Sequence, residues 1–511
     1  MTTAAQSGRI GKPRVLAVDV VGALNLVGAL GKLLGVAALF PAAVALIYSE
    51  PFWPFLAAGA ITSGLGWGLE LATSGSERIG VREGFLVVAL TWLLAAAFAA
   101  LVYLLSGDPQ LDRPVDAYFE GMSGFTTTGA TVVTDIEALS KSLAMWRQFT
   151  QWLGGMGIIV LALAVLPRLR VGGRQLLESE LPGPEVDRLA ARIRDTARRL
   201  WLLYVALTAA QILALAALGW TGVDDRMDLY NAVAHAFATM PTGGFSTQAR
   251  SIEAFGAAVQ WVIVVFMVIA GTNFALTYRA LVRRQPRLLA RDEEFRAYLA
   301  LLLVGAAVLA AELWTEGIEG GEAAIRHAVF QATSMMTTTG FASVDFNGWT
   351  ALALMTLVGL MFVGGSAGST AGSVKVVRHL LMGKVLRREL DQTVHPELVI
   401  PVRLNGTVAD ERTLRAVSSF VLLYVGIFIV GTSLLALYAA YSGPALGALD
   451  AIAATATTLG NVGPGFGVAG PMGSFEAFDD FSTIVMAGLM WLGRLEVIPV
   501  IVLFTRHYWR V

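Results

Sequence analysis

Residues 122 to 133 read MSGFTTTGATVV. The run is too rich in Gly and Thr for a good helix interior and too apolar for a solvated loop. It follows a short helix-like stretch and precedes a long apolar one, and three later runs share that setting. Side by side, residues 126–131 (TTTGAT), 240–245 (MPTGGF), 337–342 (TTTGFA) and 457–462 (TTLGNV) bring Gly129, Gly243, Gly340 and Gly460 into register. Such glycines could simply let membrane helices pack closely. Their recurrence inside four matching units instead favours one duplicated backbone device.

The rest of the chain supplies the membrane setting. Of 511 residues, 56% are hydrophobic and 15% charged, and the mean hydropathy is +0.65, beyond the usage of a soluble domain. Apolar runs recur from Leu33 onward, and roughly 20 such residues cross about 30 Å of hydrocarbon. Backbone groups in lipid must be satisfied within the segment, so the expected fold is an all-α polytopic membrane protein. A net charge of -1 offers no basic excess for nucleic acid. The absence of Cys excludes disulfides, thiolate metal sites and Cys nucleophiles. The N-terminus lacks a compact signal-peptide pattern, so no removed targeting segment is expected.

Two apolar spans come first, near 33–48 and 54–73, and with the N-terminal tail they make a two-helix extra domain over 1–80. From Phe85 a unit of long apolar helix, short segment ending in a Gly/Thr run, and second long apolar helix occurs four times. The paired spans lie near 85–105 and 146–166, 200–218 and 259–281, 298–314 and 349–381, and 418–441 and 481–504. Helix–pore-loop–helix repeats are thus expected over 81–170, 171–290 with a linker, 291–390, and 391–511 with a linker. The expectation is ten full spans and four re-entrant segments in a pseudo-fourfold arrangement around a central pore.

Lys and Arg set the orientation. Segments joining one unit to the next are basic, from Arg168 to Arg199, Arg279 to Arg296 and Lys375 to Arg412. Segments within units carry Asp108, Asp112, Asp224, Asp225, Glu316 and Glu319 and few cations. The basic side is cytoplasmic by the positive-inside rule, which puts both termini inside. The same cations suit anionic membrane lipid or a docking protein.

Extended backbone at membrane depth is tolerated only where it lines water or is buried in protein, so four such runs around one axis would make a pore. There, carbonyl oxygens would replace a cation's hydration shell. Gly reaches the dihedrals this needs, Thr adds a neutral hydroxyl, and the helix before each run points its negative end at the path. No Asp or Glu sits at the four registers, which favours a weakly hydrated monovalent cation, potassium. The expected filter comprises Thr127, Thr128, Gly129 and Ala130; Pro241, Thr242, Gly243 and Gly244; Thr338, Thr339, Gly340 and Phe341; and Thr458, Leu459, Gly460 and Asn461. Potassium is expected at Thr127, Thr128, Thr242, Gly243, Thr338, Thr339, Gly460 and Asn461. Glu120 and Asn231, on the helices before the first two runs, either brace their filters or sit at wet helix ends.

Ten residues without a large side chain, 364–373 (GGSAGSTAGS), interrupt the third unit's second span. Each interior Gly costs a helix roughly 1 kcal/mol relative to Ala, so this stretch favours unwinding. A mobile loop beneath the filter would obstruct ions. Arg494 stands in an otherwise apolar span. An Arg at membrane depth faces a water-filled cavity or the protein interior, where it raises the barrier to cations or ties a loop carbonyl.

The four registers, the two leading spans, and residues 154–167 (GGMGIIVLALAVLP) and 179–201 (SELPGPEVDRLAARIRDTARRLW) resemble the TrkH/TrkG branch of the Trk/Ktr/HKT potassium transporter superfamily over nearly the whole chain. The resemblance implies potassium uptake across a bacterial cytoplasmic (inner) membrane, a homodimer, and a cytosolic TrkA-type regulatory ring. Nucleotide is expected on that ring, with no covalent cofactor on this chain and potassium as substrate. It implies further that Gly364, Gly365, Ser366, Ala367, Gly368, Ser369, Thr370, Ala371, Gly372 and Ser373 form an intramembrane gate, with Arg494 beside the path. Related filters with Ser at the first Gly register pass sodium, and Gly129 here goes with potassium. Pro241 and Leu459 replace the Thr of the other runs, so the four sides need not coordinate equally. Channel-like and ion-coupled transport both stay open.

Other classes fit less well. Residues 364–368 match G-x-S-x-G, with His379 nearby, but a nucleophile elbow follows a strand and this run interrupts an apolar span. Five His with no H-E-x-x-H give no metalloprotease, and no enzyme is expected. A secondary transporter of an organic solute would be built from two inverted halves, whereas these four units share one orientation. A sodium-permeable homologue is the other alternative.

Overall fold

The computed structural model describes residues 18–73, 80–165, 185–442 and 446–510. The linker arginines Arg168, Arg170 and Arg174, and parts of the stretches 154–167 and 179–201, lie outside the described residues or are described in backbone alone. Helices α1 (Val20–Ala37) and α2 (Leu39–Ile47) make one span, and α3 (Trp53–Ala72) returns beside it. The first span begins at Val20, earlier than the expected bound near 33, and Asp19 caps it, accepting from the Gly22 amide at 2.9 Å. Gly28 faces Gly66 and Gly35 faces Gly59 so closely that a Cβ on any of them would collide with backbone. That is small-residue packing between membrane helices.

The first unit is α4 (Val81–Ser106), α5 (Pro114–Phe125) and α6 (Lys141–Val165). The second is α7 (Glu185–Trp220), α8 (Leu229–Thr239), α9 (Ala257–Ala270) and α10 (Phe274–Leu281). Short α11 (Arg287–Arg291) leads to the third, α12 (Glu293–Thr315), α13 (Gly321–Met336), α14 (Ala351–Val363) and α15 (Val376–Val394). A two-stranded hairpin, β1 (Arg403–Leu404) with β2 (Thr407–Val408), precedes the fourth. That unit is α16 (Glu411–Ser442), α17 (Ala448–Gly460), α18 (Asp480–Arg494) and α19 (Ile498–Ile501).

Six helices among the described residues are long and apolar enough to cross a membrane, or eight spans if the bent pairs α9–α10 and α18–α19 each count once. Those pairs turn by 109° and 112°, so the straight spans expected over 259–281 and 481–504 are broken. The first break has a local cause: Asn273 starts α10 by accepting from the Ala275 and Leu276 amides at 2.9 and 3.0 Å. At the second, Glu496 and Val497 take φ of 57° and 59°. The α14 limb stops at Gly364, φ 65°, where the glycine-rich stretch begins.

Burial concentrates on the short helices. Most of α5, α8, α13 and α17 is buried, while the long helices expose Leu65, Val304 and Leu422 at 68%, 62% and 75%. Apolar residues thus cover both the interior and the rim, as a lipid solvent requires. Buried Trp146 of α6 anchors the first unit, edge-on to Phe98 of α4 at 5.3 Å between ring centroids.

Candidate ion pathway

The four short helices α5, α8, α13 and α17 end in the same way. Thr127, Thr242, Thr338 and Asn461 take left-handed dihedrals, with φ of 52°, 57°, 56° and 53°. Their amides bond to the carbonyls of Gly124, Thr239, Met335 and Thr458, and the next amides bond to Ser123, Ala238, Ser334 and Thr457, all at 2.8 to 3.3 Å. This is the Schellman closure, normally built with Gly at the left-handed position. Three β-branched Thr stand there instead, a strain of order 1–3 kcal/mol each that recurs where a functional constraint overrides propensity.

Two residues further on, Gly129, Gly244, Gly340 and Gly463 take φ of 83°, 79°, 79° and 104°. The expected register holds in the first and third runs and is corrected in the others. Gly243 lies one residue before the equivalent Gly244, and Gly460 lies three before Gly463. Thr458, Leu459 and Gly460 form the last turn of α17, and Leu459 is buried in an apolar cluster with Tyr424 and Leu489. The helix runs on through Gly460, and Asn461 takes the left-handed turn that closes it.

The four strands meet in chain order. A Cβ on Gly129 would collide with the Gly243 carbonyl oxygen, one on Gly244 with Thr339, one on Gly340 with Val462, and one on Gly463 with Thr128. Each glycine leaves room for the carbonyl that precedes the next run's glycine, and the fourth contact returns to the first run. A solvent-connected cavity opens on this ring, lined by Gly129, Gly244, Gly340 and Pro464.

Seven residues before each left-handed position stand Glu120, His235, Gln331 and Ala454. Glu120 accepts from Thr131 at 3.0 Å, from the Val132 amide at 3.1 Å and from Arg147 at 2.7 Å, with Glu120 and Arg147 both wholly buried. Arg147 also lies over the Phe245 ring at 4.1 Å, joining the first two strands. His235 meets the Ser246 hydroxyl at 2.9 Å, and Gln331 donates to Ser343 at 3.3 Å. Ala454 offers nothing polar. Of the two alternatives for Glu120 and Asn231, bracing matches the geometry: Asn231 accepts from Thr247, after the second run, at 2.6 Å.

The hydroxyls expected to hold an ion are mostly engaged. Thr126 and Thr128 share a bond of 2.8 Å, and Thr337 and Thr339 one of 2.7 Å. Asn461 donates to Thr128 at 3.0 Å and to the Met490 carbonyl at 2.9 Å, tying the fourth strand to the first. The Gly243 oxygen accepts from Gln151 at 2.6 Å, and the same amide accepts from the Phe245 N–H at 3.1 Å. Thr127 differs: its hydroxyl is buried with no partner among the described residues, which leaves it open to a ligand.

The stretch 364–373 lies against the ring as an irregular loop. The Thr370 hydroxyl donates to the Met240 carbonyl at 3.0 Å, at the end of α8, and the Gly372 amide donates to the Thr338 hydroxyl at 2.6 Å. Gly372 also sits where a Cβ would meet the Gly460 carbonyl oxygen. Three of the four runs therefore touch the loop. Arg494, 2% exposed, donates to the Thr370 carbonyl at 2.8 Å, so of the two roles expected for it the tie to a loop carbonyl is present. Its Nε and Nη2 have no hydrogen-bond partner among the described residues and stay beside the loop as buried charge. Glu496 pairs with Arg378 at 2.5 Å rather than with Arg494.

Arg147, Gln151 and Glu294 join this site without having been singled out in the sequence. Arg147 and Gln151 fall one helical turn apart on the buried face of α6, a spacing that a polar stripe on an apolar helix would have signalled. Ser366, centre of the G-x-S-x-G match, lies between two helices with its amide on the Gly271 carbonyl at 2.9 Å and follows no strand.

Known proteins are similar to this chain in sequence and in overall fold. A family profile described as TrkH, cation transport protein, matches residues 54–510. The Trk system potassium uptake protein TrkH of Escherichia coli (strain K12) is 38% identical over 497 residues, covering 95% of this chain and 98% of that protein. The Trk system potassium uptake protein TrkG of the same organism is 34% identical over 490 residues, with 95% and 98% covered. The crystal structure of the potassium transporter TrkH from Vibrio parahaemolyticus superposes with a TM-score of 0.86 at 33% identity, covering 96% of this chain and 100% of that one.

Proposed function

The chain belongs to the TrkH family of cation transport proteins, and from that premise we propose that it takes up potassium across the inner membrane through the ring of four strands. It is a transporter and not an enzyme. The observation that carries the reading is the closed cycle of carbonyl-to-glycine contacts through Gly129, Gly244, Gly340 and Gly463. One chain thereby surrounds one axis with four equivalent backbone turns, and the pseudo-fourfold pore runs along it. On this reading Thr127 and Thr128, Thr242, Thr338 and Thr339, and Asn461 supply the ligands, with Gly243 and Gly460 contributing backbone. Because these groups are dipoles and not charges, they replace the shell of a weakly hydrated monovalent cation.

The loop 364–373 is the gate, and Arg494 beside it raises the barrier to cations. Contacts with the ends of α8, α13 and α17 support that reading, since a plug must seat against the rim it closes. Both termini face the cytoplasm, in keeping with the basic connectors. The active form is a homodimer in membrane lipid, controlled by a cytosolic TrkA-type ring that holds the nucleotide.

Rubidium flux into proteoliposomes containing the purified chain tests the function, with potassium and sodium as competitors and Gly129→Ser alongside. Flux blocked by potassium, barely by sodium, and losing that discrimination in the variant is the expected result. If deletion of residues 364–373 also leaves the vesicles silent, the pore reading fails.

A further inference from the structure

Glu294 occupies an unusual place for a carboxylate. It lies in the first turn of α12, 8% exposed, and its Oε1 accepts two main-chain N–H groups from separate points of the gating segment. One is Ala367, in the middle of the loop, at 2.6 Å. The other is Val377, in the first turn of α15 and beyond the loop's end, at 3.2 Å. A single oxygen therefore fixes the spacing between the loop's middle and the helix that follows it. A carboxylate is a strong acceptor for such amides, and two charge-assisted bonds in a buried setting hold more firmly than neutral ones.

The residues just before Glu294 are tied elsewhere. The Glu293 amide donates to the Asn405 side chain at 2.8 Å, and the Asn405 amide donates back to the Glu293 carboxylate at 2.9 Å. The Asn405 side chain also donates to Asp292 at 2.9 Å. Asn405 is the turn of the β1–β2 hairpin, at φ 49°, and Lys384 of α15 joins the cluster by pairing with Glu293 and donating to the Arg403 carbonyl at 2.6 Å. Three consecutive residues thus face two ways, with Asp292 and Glu293 on the hairpin and Glu294 on the loop.

We propose that Glu294 is the latch of the gating loop and that the hairpin turn at Asn405 works it. On this arrangement, a pull on the hairpin shifts the first turn of α12, and Glu294 carries the shift to Ala367 and Val377. Glu294 is a positioning residue: it touches the loop and not the ion. The inference rests on the loop's being the gate, as proposed above.

The test is rubidium flux in proteoliposomes holding the full chain alone, with potassium and sodium competition recorded for every variant. Glu294→Ala should raise flux about tenfold over the parent, as expected when a pair of charge-assisted bonds holding a closed state is lost. Potassium discrimination should not change, which separates a released gate from a damaged filter. Glu294→Gln keeps an acceptor oxygen and should fall between parent and Glu294→Ala. Asn405→Gly keeps the left-handed turn and removes the side chain. It should raise flux less than Glu294→Ala and add nothing to it in the double variant. Deletion of residues 364–373 in the same assay keeps two failures apart. If the deletion conducts potassium while Glu294→Ala stays at parental flux or loses discrimination, the latch is wrong and the pore stands. If the deletion is silent too, the functional reading falls. Should Glu294→Ala fail to fold, parental flux in Asn405→Gly overturns the latch.

Discussion

The first and fourth runs of the ring share a backbone and almost nothing else. Both close a helix with a left-handed residue and place a positive-φ glycine two positions on, at Gly129 and Gly463. Behind the first stands a buried ion pair, Glu120 with Arg147, holding the return strand at Thr131 and Val132. Behind the fourth stands Ala454, and Gly465 packs within 3.1 Å of Ala453 where a Cβ is placed. The fourth strand is held from the side, by Asn461 reaching Thr128 and Met490. The geometry is therefore what is common, and the means of holding it differ from unit to unit. A duplicated module can exchange its supports as long as the carbonyl turn survives.

That contrast can be broken at its strongest point. Glu120→Ala should destabilise the protein by about 3–5 kcal/mol, because it leaves Arg147 buried and unpaired. Thermal unfolding in detergent checks it, and Glu120→Gln should be milder. A change as small as that of an exposed ion pair would show that the first strand needs no brace. Next comes the corrected register. Gly463→Ser should cost about tenfold, near 1.4 kcal/mol, in potassium-over-sodium discrimination of rubidium flux, and Gly460→Ser, in the last turn of α17, should cost less. The reverse order would restore the register read from the sequence.

Two smaller effects sharpen the comparison. Asn461→Gly keeps the left-handed turn but removes both bonds to its neighbours, a loss of about 1–2 kcal/mol seen in the midpoint of denaturation. Thr126→Val removes the hydroxyl's bonds to the Met122 carbonyl and to Thr128 and should cost about 0.5–1.5 kcal/mol, with discrimination nearly intact. If Thr126→Val outweighs Asn461→Gly, the first run depends on its own hydroxyl pair more than on its neighbour.

The four units, their order and the loop at 364–373 were legible because each depends on composition over many residues: long apolar stretches, short amphipathic ones, and glycine where backbone bends. The first and third registers were legible because TTTG contains a single glycine. The second and fourth were not, since TGGF and LGNVGPGF each offer more than one, and only hydrogen bonds at a helix end decide between them. The pattern Thr or Asn, any residue, Gly is met at Thr127, Thr242, Thr338 and Asn461, but Thr458, Leu459 and Gly460 meet it as well, so the fourth run stays ambiguous in sequence. The bends after Ala270 and Arg494 were hidden because hydropathy continues through them. Arg147 and Glu294 were passed over for another reason: a charged residue near a helix end is commonplace, and burial against a distant partner is a property of the fold.

The break after α9 has one more consequence. Where the helix stops, the carbonyls of Ala270 and Gly271 lose their helical donors and accept instead from Thr370 and from the Ser366 amide. If the loop withdraws, as the proposed gate requires, those oxygens need new donors at membrane depth, and water can supply them. Opening is then a wetting transition in which the molecule takes up solvent. Osmotic stress from a solute too large to enter should hold the protein shut, and the slope of flux against water activity would count the molecules admitted.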